Sequence, residues 1–194
     1  MKRILHATRL SLFSTCVLLL MSGIGAAVMG ADSTPAVIRQ KLAALRGQAD
    51  PHAVDTAWPY LNSTDASVRE AARLTVESQP FDSWKERALD EKNTWASIEA
   101  LRALIEACPK AETADLSHHI CQEIVLLRID EMNEPQQLEL LQLTRAVFSR
   151  LGAIQADDRT HIIDLWVHFP GSLTARVRAE ATRLVDFLQK KPAQ

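Results

Sequence analysis

From Ser33 onward apolar side chains recur every three or four positions, broken at short intervals by Pro, Gly, Asp or Asn, and no alternating stretch is long enough for a strand. Ile38, Leu42 and Leu45 share one face of a first helix that opens at Ser33 or Thr34, carries Pro35 in its first turn and stops before Gly47. Val54, Ala57, Trp58 and Leu61 make a second face, which Pro59 cuts short because it has no amide hydrogen. Asp65 is placed to cap a third helix. Val68, Ala71, Ala72 and Thr75 then line one side, and Arg69 stands four residues from Asp65, where their charges can meet.

The same grammar continues. A helix is expected from Asp82 with Trp84 and Leu89 inward, and another from Trp95 to Cys108 with Ile98, Leu101, Leu104 and Ile105 inward, stopped by Pro109. Four more follow: Leu116 to Ile129, Pro135 to Leu151 ended by Gly152, Asp158 to His168, and Ser172 to Lys190. Their anchors are Ile120, Ile124 and Leu127; Leu138, Leu141 and Phe148; Ile162 and Trp166; and Leu173, Val177, Leu184 and Leu188. Every second helix starts near Asp65, Thr94, Asn133 and Ser172, steps of about 29, 39 and 39 residues, the spacing of a two-helix repeat. The fold class is therefore all-α, a right-handed α-solenoid of about four helical hairpins in which neighbours must stack to bury their faces.

The N-terminus stands apart. Lys2, Arg3 and Arg9 precede the apolar run LSLFSTCVLLLM, and the chain then turns small at SGIGAAVMGA, the outline of a signal peptide cut near Ala31 or Asp32. The competing reading is an uncleaved anchor over Leu10 to Met29, about the 20 residues that a spanning helix needs. Residues 1–30 are thus a signal peptide or anchor, 31–190 the repeat domain and 191–194 a frayed tail. An exported protein, periplasmic or extracellular, follows from cleavage; membrane contact follows only if the segment is retained.

Without that leader, 19 basic side chains stand against 24 acidic ones, a net charge near minus five, which disfavours nucleic acid as a partner. Cys108 and Cys121 are too few for a disulfide framework. A bond between them would close a loop of about 14 residues and stabilise by ~3 kcal/mol; two separate thiols are the alternative.

The stretch LNSTDASVREAARL resembles a HEAT repeat, in which an Asp and a Val-Arg pair open the second helix and small residues follow. VREAARLTVESQPFDSWKERAL, EPQQLELLQLTRAVFSRLG and HFPGSLTARVRAEATRLVDFLQ are similar to the HEAT-like segment of large exported bacterial proteins that join such repeats to dehydrogenase-like or c-type haem modules. The resemblance implies a spacer or interaction surface, with Asp65, Val68, Arg69 and Ala72 in structural roles. It carries no catalysis here, because Cys108 is followed by PKA and Cys121 by QEI, so the CxxCH of a covalent haem is missing and no cofactor is implied.

Candidate chemistry is sparse. His118, His119 and Cys121 fall within one turn, and His118 and Cys121 share a face, but a closed zinc site needs about four ligands and would have to recruit His161 or His168. The ordinary alternative is an exposed His119 and a packed Cys121. Asp157 and Asp158 read as negative charge at a helix N-terminus rather than as an acid and base pair. Of the four tryptophans, Trp95 is placed to reach the surface while Trp58, Trp84 and Trp166 fit the core pattern. Arg176, Arg178 and Arg183 interleave with Glu180 and Asp186, as on a solvated helix face. There is no phosphate-binding glycine loop, HExxH, GxSxG or CxxC.

The functional expectation is a non-enzymatic scaffold that binds protein partners, with self-association through an open solenoid end as one route. The alternatives are a structural remnant of a larger haem or dehydrogenase-like protein and a weak metal-binding helical protein.

Overall fold

The computed structural model describes residues 34–152, 154–168 and 173–190; the leader expected over residues 1–30 and the tail at 191–194 lie outside the described residues. Among the described residues nine α-helices follow one another without a strand: α1 (Pro35–Ala44), α2 (Ala53–Ala57), α3 (Ala66–Glu77), α4 (Lys85–Leu89), α5 (Thr94–Ala107), α6 (Thr113–Leu126), α7 (Glu134–Ala146), α8 (Ala156–His168) and α9 (Ala175–Lys190). None of them is long and apolar enough to cross a membrane.

The caps explain why the helices begin where they do. Asp65 accepts hydrogen bonds from the amides of Ser67 and Val68 at 2.8 and 3.2 Å, satisfying two of the free donors at the start of α3. Asn133 and Gln136 exchange side-chain and backbone bonds of 3.0 and 2.9 Å, a capping box that starts α7 with Pro135 in its first turn. Gly152 ends the π-turn Val147–Leu151 that continues α7, and its φ of +80° is a conformation that side chains with a Cβ rarely adopt.

The helices alternate between two rows. α1, α3, α5, α7 and α9 pack each on the next, while α4, α6 and α8 do the same alongside them. The successive pairs α2 with α3, α4 with α5, α6 with α7 and α8 with α9 also touch, so the rows are joined along their length. One apolar cluster lies between them, with Trp84, Phe148, Leu104, Ile120 and Leu140 among its fully covered members. Each such side chain contributes about 1.5–3 kcal/mol when removed from water. The expected faces are there: Val54, Ala57, Trp58 and Leu61 are buried, as are Val68, Ala71, Ala72 and Thr75.

Four details differ from the sequence reading. The helix expected from Asp82 is a single 3-10 turn, Phe81–Ser83, followed by the short α4. Trp84 breaks it at φ −137°, which lets the ring sink into the core while its indole N–H donates to the Gln79 carbonyl at 3.3 Å. α6 stops at Leu126 because Leu127 turns extended, and Ile129 is buried from a separate turn. Leu151 belongs to the π-turn rather than to α7 itself.

The fourth concerns Arg69, which does not meet Asp65. The Asp65 carboxylate is occupied by the α3 amides and the Ser67 hydroxyl. The Arg69 guanidinium is buried instead, donating to the Ser63 and Thr64 carbonyls at 2.8 and 3.3 Å and to Glu99 of α5 at 3.3 Å. Arg73, itself half-buried, approaches the other Glu99 oxygen at 3.4 Å and also pairs with Glu77, so an ionic row centred on the buried Arg69 and Glu99 ties α3 to α5.

Polar ties also join α1 to α3. The Thr75 hydroxyl donates to the Leu42 carbonyl at 2.9 Å, and the buried Gln79 side chain receives the Asp50 amide at 2.9 Å while donating to the Leu45 carbonyl at 3.2 Å. Such bonds offset the cost of burying these polar groups.

Candidate interaction site on the sixth and eighth helices

The Asp158 carboxylate is buried in the first turn of α8, where its charge favours the helix N-terminus. Both its oxygens lie close to Nδ1 of His118 on α6, at 3.0 and 2.9 Å. One turn further along α6, the Gln122 amide nitrogen is 2.9 Å from His118 Nε2. A carboxylate only accepts, so the imidazole donates from Nδ1 to Asp158, and its Nε2 is engaged by the Gln122 side chain. The three residues thereby fix α8 against α6.

A groove of about 330 Å³ opens beside this network, lined by Cys121, Gln122, Val125, Leu126, Asp158 and His161. Val125 and Leu126 are 39% and 68% exposed and Val167 on α8 is 55% exposed; these are the large apolar side chains left open to solvent among the described residues, and all three belong to α6 or α8. The α9 end of one row is different. The exposed positions of α9 are Ala175, Arg176, Arg178, Ala179, Thr182, Arg183, Asp186, Gln189 and Lys190, a mainly polar surface without a large apolar side chain.

The candidate metal ligands do not converge. Both ring nitrogens of His118 are engaged, and burial together with the nearby Asp158 charge pushes the Cys121 thiol up to about 12. His161 reaches the groove, whereas His119 and His168 point outward beside Asp115 and Asp164 on their own helices. Among the described residues, no three His, Cys, Asp or Glu side chains are grouped closely enough to hold an ion. Cys108 and Cys121 carry free thiols, and Cys108 donates to the Pro109 carbonyl at 3.3 Å.

The remaining sequence candidates have structural partners. Val68 and Ala72 lie in the packed face of α3. Trp95 is half-buried, its ring covered by the Arg69 guanidinium at 3.6 Å. Arg176 approaches Glu134 at 3.6 Å, Arg178 donates to the Leu173 carbonyl at 3.2 Å and Arg183 pairs with Glu180, consistent with a solvated helix face.

Sequence patterning does not single out Gln122, Val125 and Leu126, and it assigns Asp158 only a helix-end role. The available signal was an excess: Val125 and Leu126 are apolar but fall outside the face made by Ile120, Ile124 and Leu127. The chain matches no family model, and neither a curated protein nor a solved structure shows significant similarity to it.

Proposed function

We propose that this chain is a HEAT-like α-solenoid that serves as an exported, non-enzymatic scaffold for protein contacts. Helices that alternate between two rows, each packed on the next member of its row, suit a stack of helical hairpins, and such stacks offer long surfaces for partners. The observation that carries the reading is the solvent-open groove at Val125 and Leu126, where aliphatic side chains stay uncovered outside the buried core.

The test is affinity capture of the tagged chain from its native cells, identified by mass spectrometry against a tag-only control, together with fractionation of the cells. A reproducible partner that is lost when exposed charges on one row are reversed, found in the exported fraction, is the expected result. A folded chain that captures nothing over its control would overturn the scaffold reading.

A further inference from the structure

α6 and α8 present two matching stripes. On α6, Asp115, His119, Gln122 and Leu126 follow at steps of four, three and four residues; on α8, Asp157, His161, Asp164 and His168 follow at the same steps. Residues so spaced share one helical face. His118 lies opposite Asp158, and His161 shares the groove with side chains that come later on α6, so the helices run in the same direction. That register brings the exposed Leu126 level with the turn that carries Val167.

The charge of this surface is one-sided. α6 and α8 carry Asp115, Glu123, Asp157, Asp158 and Asp164 against a single arginine. That residue, Arg159, donates to the Leu188 carbonyl at 2.8 Å and lies over the Phe148 ring, on the side turned to the core. Lys92 compensates Glu123 at 3.3 Å. Among the described residues, however, Asp115 and Asp164 meet only His119 and His168, at 3.6 and 4.0 Å, and Asp157 takes part in no ion pair. Asp158, the carboxylate that lines the groove, is taken by His118, whereas Asp115 and Asp164, on the same helical stripes as the lining residues Gln122, Leu126 and His161, and Asp157 beside them pair with no lysine or arginine among the described residues.

We infer that this surface docks a basic amphipathic helix of a protein partner. Its aliphatic side chains lie against Val125 and Leu126, and its flanking lysines or arginines face Asp115, Asp157 and Asp164. A groove between two parallel helices takes an apolar stripe repeating every three or four residues, the helix-in-groove mode. The carboxylate rim selects the sign of the partner's charge and speeds encounter. The inference rests on the scaffold reading above and adds the place and the chemistry of the contact.

The experiment titrates the full chain into fluorescently labelled helical peptides. One carries leucines on a single stripe with lysines on both flanks, a second has every lysine replaced by glutamate, and a third is a scramble of the first. The lysine peptide is expected to bind at least ~10-fold tighter than the other two, a difference of about 1.4 kcal/mol. Leu126→Asn and Asp164→Lys should each remove most of that preference while circular dichroism shows the fold intact, and salt should weaken binding as it screens the rim.

Equal binding of the lysine and glutamate peptides, or full binding by folded L126N and D164K, would overturn the inference. A dimer in sedimentation that dissociates with L126N would also overturn it, by giving the groove to a second copy of this chain. Native partner capture unaffected by L126N and D164K would leave the scaffold reading standing and remove this surface from it; no captured partner at all would remove the scaffold reading itself.

Discussion

The Arg69 guanidinium stands 3.6 Å above the centroid of the Trp95 ring while its Nε lies 3.3 Å from Glu99, one turn further along the same helix. One side chain of α3 thus holds two neighbouring positions of α5, through a cation–π contact and a buried ion pair. Replacing Arg69 by Ala leaves the Glu99 carboxylate buried with a weakened set of partners and is expected to cost about 3–5 kcal/mol. The double replacement by Met at both positions should cost less than the single Ala, because no charge is stranded. Urea unfolding of the three proteins checks this; an Arg69→Ala loss below ~0.5 kcal/mol would contradict the buried pairing.

His118 and Asp158 form the corresponding tie between α6 and α8. His118→Ala removes the one side chain among the described residues that bonds the buried Asp158 carboxylate, and the expected cost is about 1–3 kcal/mol. Removing both partners with His118→Ala and Asp158→Ala should cost less than the two single changes added together. A double-mutant cycle by denaturant melting gives the coupling, and strict additivity would show that the two side chains do not interact.

Asp65 links stability to pH. The Ser67 hydroxyl and the Val68 amide hold its carboxyl below the usual range against the opposing effect of burial. A lowered folded-state value makes the cap stabilising above the unfolded carboxyl's pKa near 3.8, and the contribution disappears as pH falls through the folded value. Asp65→Ala should therefore melt below the parent at pH 7, with the gap closing under acid. Asp65→Asn, which keeps the acceptor oxygen, should retain more of the cap and a flatter pH dependence. Thermal melts from neutral to strongly acidic pH measure both.

The Cys121 thiol is protonated throughout the neutral range, because burial and the Asp158 charge push it to about 12. Thiolate is the reactive form, so Cys121 should resist alkylation at pH 8 in the native protein and react on unfolding. The half-buried Cys108 should label first, although burial raises its thiol as well. Mass spectrometry of iodoacetamide-treated protein reads the two sites separately. Rapid native labelling of Cys121 would show that α6 is not packed as described.

The sequence by itself determined the helices and most of their buried faces. Local chemistry is sufficient for that: Asp65 and Asn133 satisfy free amides at their own helix starts, Pro59 withholds one, and Val68, Ala72, Leu104 and Ile120 fall at spacings that put them on one side whatever they pack against. The extent of the α4 region escaped that reasoning because the burial of Trp84 overrides the helical pattern around it. Contacts between residues distant in sequence were decided by the tertiary structure. Arg69 had an acid four residues away, yet it turned to Glu99 thirty positions on, since the cap already held Asp65 and the neighbouring helix offered a carboxylate and a ring. Asp158 became the partner of His118 across forty residues, and Leu126 became an exposed aliphatic beside a groove, only because α6 and α8 lie side by side. Periodicity tells which side of a helix is apolar; the stacking of one helix on another decides which apolar side chains are covered and which carboxylates are left to meet a partner.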